Sequence, residues 1–398
     1  MKNGSFFKHD FAALLAKSIT TARKRATKGK EVFMARQFDR KLILENGTEY
    51  YGYGFGATGD RVCDLAFHTS MAGYQEIVTD PSAAGMALVM TYPIIGGSGI
   101  TDEDFESRTP SLGALIVGSY CDNPSNFRSI KTLGEILEED DIPGIEGIDT
   151  RKLTREIRDG GNCRCLITGI GTSLEEGLKI IAETPVKKDL VARVSCRKRW
   201  FSRTPDHLFT VVVVDCGTKL SVIRTFNKLG CNVTVMPWNS DAQSVLAQKP
   251  DGILISDGPG DPADASEVCQ LINQLKGKLP IFGTGLGHQL IAMAYGAKIV
   301  AMKTGHRGGT YPVKNLITGK IEITSQSHGF VVDKDSLEGT GLAVTHTCVV
   351  DGSVEGLACK EDNIFSVQYY PESAPGPQDS AYLFDQFITA MKEGKENA

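Results

Sequence analysis

One short segment has the residue pattern of a site for covalent catalysis. Residues 280–290 read PIFGTGLGHQL, an apolar stretch typical of a strand that runs into a glycine-rich corner and then into a helix-like segment. A corner of this kind exposes the side chain at its apex, and the backbone N–H groups at the start of the following helix stabilise a developing oxyanion. The apex side chain should be a nucleophile, but the apex residue is Gly285. The segment therefore predicts the corner of an acyl-transfer site without its nucleophile.

This corner resembles that of the class I glutamine amidotransferases, which have Gly-x-Cys-x-Gly-x-Gln where residues 283–289 read GTGLGHQ. Their second signature is His-Pro-Glu, and this chain has Tyr370-Pro371-Glu372. Other segments resemble the small subunits of carbamoyl-phosphate synthetases, a branch of that family. They are SAPGP at 373–377, SDGPGDP at 256–262, SQSHGF at 325–330, HTSMAGYQE at 68–76, TYPIIG at 91–96 and GIEGIDTR at 144–151. The likeness covers residues 38 to 393 in order.

The resemblance implies a specific chemistry and also its loss. In the family, the cysteine attacks the carboxamide of glutamine, and the resulting ammonia passes to a large subunit that uses ATP and bicarbonate. Gly285 occupies the nucleophile position, Tyr370 the base position, and Glu372 is the retained orienting carboxylate. Glycine has no atom that can form a thioester, and a tyrosine with an ordinary pKa of about 10 is a poor base at neutral pH. Because such losses cost on the order of 10⁴ to 10⁶ in turnover, we predict an inactive glutaminase with a structural or regulatory role.

The residues that would contact glutamine are also implied by the resemblance. They are Ser70, Gly258, Gly260, Leu286, Gln289, Ser327, Gly329 and Phe330. Ser327 stands where the family usually has asparagine, and its hydroxyl is shorter and offers one donor where an amide offers two. We expect no cofactor and no metal in this chain, with ATP and Mg only on the large subunit. The expected partners are that large subunit and, as a candidate ligand, glutamine; the resemblance points to arginine or pyrimidine synthesis.

Two other functions are open at this point. The chain is an active glutaminase if another residue, such as Thr284 or Cys216, replaces the missing nucleophile. Thr284 lies one residue before the apex, so its side chain should point elsewhere, and no second corner of this kind is visible at Cys216. Alternatively, the chain binds glutamine as a sensor without cleaving it.

The elements around these motifs predict two domains, as expected for a chain of 398 residues. In residues 208–398, strands such as the β-branched run at 209–214 alternate with helix-like segments, which predicts a doubly wound, mostly parallel sheet of the class I amidotransferase type. Ligands bind such sheets at the carboxyl ends of the strands. Residues 38–187 read as a mixed α/β small-subunit domain that begins with a hairpin around Asn46-Gly47. The basic stretch 188–207 is predicted to be a linker. Residues 1–37 are expected to be a disordered extension, with Met34 an alternative start.

The composition of the chain argues against a nucleic-acid-binding or membrane-spanning protein. Hydrophobic residues make up 41% of the chain, charged residues 23%, and the net charge is −5, values of a globular protein without the basic surplus of a nucleic-acid binder. No apolar run approaches the roughly 20 residues that span a bilayer. The ten cysteines are scattered, which favours a reducing, cytoplasmic setting.

Overall fold

The computed structural model describes residues 36–396, and from Asp39 onward the described chain forms a single unit. All but the last two residues of the predicted extension, 1–37, therefore lie outside the described residues. Among the residues that are described, no helix combines the length and the apolar character needed to cross a membrane.

The first half is built around a closed barrel with the strand order β1-β2-β8-β6-β4-β3-β9. The predicted hairpin is confirmed, because Ile43 pairs with Glu49 across the turn at Asn46-Gly47. The strands of the barrel are β1 Arg40–Leu44, β2 Glu49–Gly56, β3 Arg61–His68, β4 Met86–Met90, β6 Ala114–Ile116, β8 Pro143–Glu146 and β9 Cys163–Gly169. Two further strands, β5 Ile94–Ile95 and β7 Ser119–Tyr120, form a separate pair.

Helices cover the barrel, and their ends follow the capping residues in the sequence. Thr132 and Glu135 form a reciprocal capping box at the start of the second helix. The helices of this half are α1 Tyr74–Val78, α2 Leu133–Glu139, α3 Thr150–Gly160 and α4 Leu174–Glu183.

The second half contains a 10-stranded sheet with the order β10-β12-β11-β13-β14-β19-β18-β16-β15-β17. Its strands are β10 Trp200–Ser202, β11 Phe209–Asp215, β12 Cys231–Pro237, β13 Gly252–Ile255, β14 Ile281–Thr284, β15 Ile299–Asn315, β16 Ile321–Val332, β17 Ala343–Cys348, β18 Val354–Cys359 and β19 Ile364–Val367. The five strands from β12 to β19 in this order are parallel, as predicted.

Helices lie on both faces of this sheet, which makes it doubly wound. Successive side chains of a strand point to opposite faces, and accordingly Val212 and Val214 pack in one core while Val211 and Val213 pack in the other. The helices are α5 Leu190–Val194, α6 Leu220–Lys228, α7 Ala242–Leu246, α8 Ser266–Leu275, α9 Leu286–Ala294 and α10 Tyr382–Glu396.

Two features go beyond the sequence-based expectation. The stretch 188–207 contains the short helix α5 and the edge strand β10, which pairs with β12 from Trp200 to Ser202. The long antiparallel hairpin of β15 and β16 extends the sheet on its other side. The parallel strands at the centre of the sheet position the site. Strands β13, β14 and β19 are neighbours, so the residues that follow them come together at the carboxyl edge of the sheet. These residues are Asp257, Gly285 and Tyr370.

Candidate functional site

Gly285 forms the predicted sharp corner between β14 and α9. Its backbone angles are φ 53 and ψ −114 at the N-terminal cap of α9, a conformation that glycine adopts without the steric cost other residues carry. The Gly285 N–H donates to the Val367 carbonyl oxygen at 3.0 Å, and the His288 N–H donates to the Gly285 carbonyl oxygen at 3.1 Å. The strand-to-helix corner is thus fully built although its apex carries no side chain.

The Asp257 carboxylate fills the space above this apex. The backbone N–H of Leu286 donates to Asp257 Oδ1 at 2.7 Å. A Cβ atom at position 285 would lie 1.9 Å from the same Oδ1 and 2.2 Å from Cγ, far inside contact distance. The carboxylate therefore occupies the volume that a nucleophile needs, and it takes the N–H that would stabilise an oxyanion. Sequence reasoning missed Asp257 because the segment 256–262 drew attention to its glycines.

Asp257 is held in an environment that disfavours its negative charge. The residue is 8% exposed, and burial, together with the nearby charge of Asp80, raises its pKa to about 7. Its second oxygen, Oδ2, is buried and has no hydrogen-bond partner among the described residues. A buried carboxylate oxygen without a partner is uncommon, and the Leu286 and Gly258 backbone N–H groups and the Tyr370 side chain partly offset the rise in the Asp257 pKa.

Tyr370 lies where the resemblance places the base, but its contacts make it a donor. The residue is 3% exposed, and its hydroxyl donates to Asp80 Oδ2 at 2.9 Å and lies 2.8 Å from Ser82 Oγ. Burial raises the Tyr370 pKa well above its usual value, and the charges of Asp80 and Asp257 raise it further. The phenol therefore stays protonated at neutral pH and cannot accept a proton from a nucleophile.

Glu372 is engaged by a lysine that the sequence analysis did not single out. Lys219 Nζ lies 2.9 Å from Glu372 Oε1, and the two side chains are 1% and 2% exposed. The same ammonium donates to the Ala374 carbonyl oxygen and sits 3.9 Å from the centre of the Tyr370 ring. Burial opposes the lysine's charge, but Glu372 and other nearby carboxylates raise the Lys219 pKa overall. The retained carboxylate thus neutralises a buried cation, while the Tyr370 hydroxyl has Asp80 and Ser82 as its partners.

A cavity of about 390 Å³ opens beside this cluster, within the size range of small-molecule sites. Most of the residues predicted to contact glutamine line it: Gly258, Gly260, Leu286, Gln289, Ser327, Gly329 and Phe330. Ser70, the remaining predicted contact, is not among the residues that line the cavity. The preceding Thr69 is fixed by hydrogen bonds to the Arg307 carbonyl oxygen, which leaves the Ser70 hydroxyl beside Gly309.

Two of the lining side chains are already hydrogen-bonded within the protein. The Gln289 amide nitrogen donates to the Phe330 carbonyl oxygen and to Gln368 Oε1, each at 3.0 Å. The Ser327 hydroxyl accepts from Ser82 Oγ at 3.2 Å. A ligand in the cavity therefore meets few free donors from these residues.

One histidine cluster has the residue types of a metal site. His306 lies near His328 and Glu355 on one side and near Cys348 and Asp351 on the other. However, His306 Nε2 is 3.0 Å from Asp351 Oδ2, and its Nδ1 is 2.9 Å from Gln326 Oε1. Burial lowers the His306 pKa, but the hydrogen bond and charge of Glu355 raise it overall. Since both ring nitrogens are engaged, a charged hydrogen-bond network accounts for the cluster without an ion.

Two family models match the chain. The model of glutamine amidotransferase class-I matches residues 212–390, and the CPSase domain of the carbamoyl-phosphate synthase small chain matches residues 42–167. The chain is 46% identical over 357 residues to the carbamoyl phosphate synthase small chain of Staphylococcus epidermidis, covering 90% of this chain and 97% of that one. It is 45% identical over 359 residues to the pyrimidine-specific small chain of Halalkalibacterium halodurans, covering 90% and 99%. The chain therefore belongs to the carbamoyl phosphate synthase small chain family.

Proposed function

We propose that this chain serves as a carbamoyl phosphate synthase small chain that joins a large chain but does not hydrolyse glutamine. The large chain would bind ATP and Mg, and the assembly would use free ammonia. The observation that carries the proposal is the apex: Gly285 has no side chain, and the Asp257 carboxylate stands in its place. The hydrolytic pathway needs a covalent acyl intermediate, and an apex glycine has no atom on which to form it.

The candidates for a substitute nucleophile do not fit this role. Cys216 is fully buried, and burial raises its thiol pKa well above the ordinary value, which suppresses the reactive thiolate. Thr284 is 3% exposed and belongs to β14. Ser82 reaches the cluster, but its hydroxyl contacts the Ser327 and Tyr370 hydroxyls, and neither of these is a base. These three residues therefore favour the inactive form over a glutaminase with a displaced nucleophile.

Hydrolysis is tested by measuring ammonia release from glutamine by the purified chain. The Staphylococcus epidermidis relative, prepared and assayed in parallel, serves as the comparator, and cooperative thermal unfolding verifies that both chains are folded. We expect a rate at least 10⁴-fold below that of an active comparator, since loss of a catalytic nucleophile or base costs about that much. A rate within tenfold of an active comparator would rule the proposal out. Repeating the assay after alkylation of all thiols shows whether a cysteine carries any residual rate.

Assembly is tested separately, because it does not depend on the apex. A large chain from a relative is mixed with this chain, and complex formation is followed by size-exclusion chromatography with light scattering. We expect a stable complex that forms carbamoyl phosphate from ammonia, ATP and bicarbonate. If no complex forms at micromolar concentrations with large chains from several relatives, the proposed partnership is wrong.

A further inference from the structure

One edge of the ten-stranded sheet is open. Strand β10 is the first in the strand order, and among the described strands it pairs only with β12. Its Trp200 side chain packs against the core beneath the sheet, whereas Phe201 is 49% exposed. The outer side of an edge strand presents backbone N–H and C=O groups that a further strand can pair with. This edge is therefore a place where an extended segment of another protein can add to the sheet.

Positive charge is concentrated along this edge. Residues 190–205 contain five Lys and Arg residues and no Asp or Glu, although the whole chain has a net charge of −5. Arg193 pairs with Asp189. The other four are exposed, and their side chains form no ion pair or hydrogen bond with any described residue: Arg197, Lys198, Arg199 and Arg203. Arg108 adds a further exposed charge from the first half of the chain, with its Cζ atom 5.9 Å from the centre of the Trp200 ring. The edge thus suits an anionic partner.

Two of these cations are arranged in order around the exposed aromatic ring. Arg199 and Arg203 flank the strand, and their Cζ atoms lie 5.9 and 5.8 Å from the centre of the Phe201 ring. Alternate side chains of a strand share a face, so these three residues form a cation–aromatic–cation row on one face of the edge. Charges on an edge strand also discourage aggregation, but that protection needs no such order. The row therefore points to a partner whose own side chains alternate.

We propose that β10 docks an extended segment of a partner protein that carries carboxylates at positions i and i+4 and an apolar residue at i+2. Residues opposite each other on paired strands interact, so the carboxylates would meet Arg199 and Arg203, and the apolar side chain would lie beside Phe201. The pattern reads the same in both directions and fits either strand orientation. This inference goes beyond the proposed function and does not depend on the fate of glutamine.

A protein segment fits this edge better than a nucleic acid does. Single-stranded nucleic acids bind by stacking their bases on open aromatic faces, but the Phe201 ring already has guanidinium groups over it. The net charge of −5 also opposes a polyphosphate. An added strand, in contrast, uses both the open backbone and the charges of the edge.

The proposal is tested by fluorescence anisotropy, in which the full chain is titrated into labelled peptides. One peptide has the central sequence ETVTE, with both carboxylates on one face, and the other has ETVET, with the same composition and the carboxylates on opposite faces. We expect ETVTE to bind at least threefold more tightly. Equal affinities, or no binding of ETVTE at millimolar concentration, would overturn the proposal. Tighter binding of a labelled oligothymidylate than of ETVTE would also overturn it, in favour of a nucleic-acid surface.

Matched variants then locate the contact. Arg199→Ser and Lys198→Ser each remove one exposed positive charge from the same segment, but only Arg199 belongs to the row with Phe201. We expect Arg199→Ser to weaken ETVTE binding at least threefold and Lys198→Ser to weaken it less than twofold. Equal losses in the two variants would show that only the total charge matters and would contradict strand docking. Thermal unfolding of both variants verifies that the sheet is intact.

Discussion

The claim that Asp257 occupies the apex space predicts an energetic coupling between positions 257 and 285. Gly285→Ala adds only the Cβ atom, which would lie 1.9 Å from Asp257 Oδ1, 2.2 Å from Cγ and 2.8 Å from Cβ. The carboxylate must move, and moving it breaks the 2.7 Å hydrogen bond from the Leu286 N–H. Gly285→Ala should therefore destabilise the protein through steric overlap as well as through backbone strain.

Steric overlap and backbone strain each lower the free energy of unfolding, and a control variant separates the two effects. A non-glycine residue with a strained backbone costs about 1–3 kcal/mol, and overpacking costs about another 1–3 kcal/mol. Gly296 also has a positive φ, of 90°, but a Cβ atom there would meet nothing within 4 Å. Gly296→Ala should therefore show only the backbone cost, and Gly285→Ala should exceed it by roughly the overpacking cost.

The assay is a double-mutant cycle on the free energy of unfolding in urea. Asp257→Ala removes the two nearest atoms and leaves the Asp257 Cβ atom at 2.8 Å. In that background, Gly285→Ala should cost about 1–3 kcal/mol less than in the unmodified chain, the range typical of residues in direct contact. A coupling below about 0.5 kcal/mol, the usual limit for independent sites, would refute the placement of the carboxylate above the apex.

Three further predictions concern the buried charges of the site. Lys219→Met leaves Glu372 as an unpaired buried charge and should lower the free energy of unfolding by about 3–5 kcal/mol; a loss under about 1 kcal/mol in urea titrations would contradict the buried pair. Tyr370→Phe removes the donor to Asp80 and should cost about 1–3 kcal/mol, whereas unchanged thermal unfolding would show that the bond contributes nothing. The pKa of Asp257 is about 7 in the folded protein, above its unfolded value, so the folded state binds the extra proton. Stability relative to Asp257→Asn should therefore fall as pH rises from about 4 to 7, by at most about 1.4 kcal/mol per pH unit, and an equal difference at pH 5 and pH 8 would contradict this.

The sequence predicted the features that depend on local pattern. The alternation of β-branched runs and helix-like segments predicted the parallel strands at the centre of the sheet, because hydrophobic residues recur with different periods in buried strands and in amphipathic helices. The hairpin at Asn46-Gly47 followed from its turn residues. The corner at Gly285 followed from its glycine spacing.

Features that depend on contacts between residues far apart in the sequence could not be predicted from the local hydrophobic pattern. Closure of the barrel needs β1 to pair with β9, more than a hundred residues later, and no local periodicity encodes such a pairing. The long strand β15 contains glycine, proline and charged residues that obscure its alternation. The contacts of Asp257 with Leu286 and of Lys219 with Glu372 likewise join segments that meet only in the folded chain. The family resemblance identified the empty triad positions, but only the geometry shows what fills and surrounds them.

We propose that this chain takes part in carbamoyl phosphate synthesis without supplying ammonia from glutamine. The direct measurement is the rate of carbamoyl phosphate formation by the complex with a large chain, with glutamine and with ammonium chloride as alternative nitrogen donors. We predict synthesis with ammonium chloride and, with glutamine, a rate no higher than that of the large chain alone. Glutamine-supported synthesis at a rate comparable to that with ammonium would contradict the account.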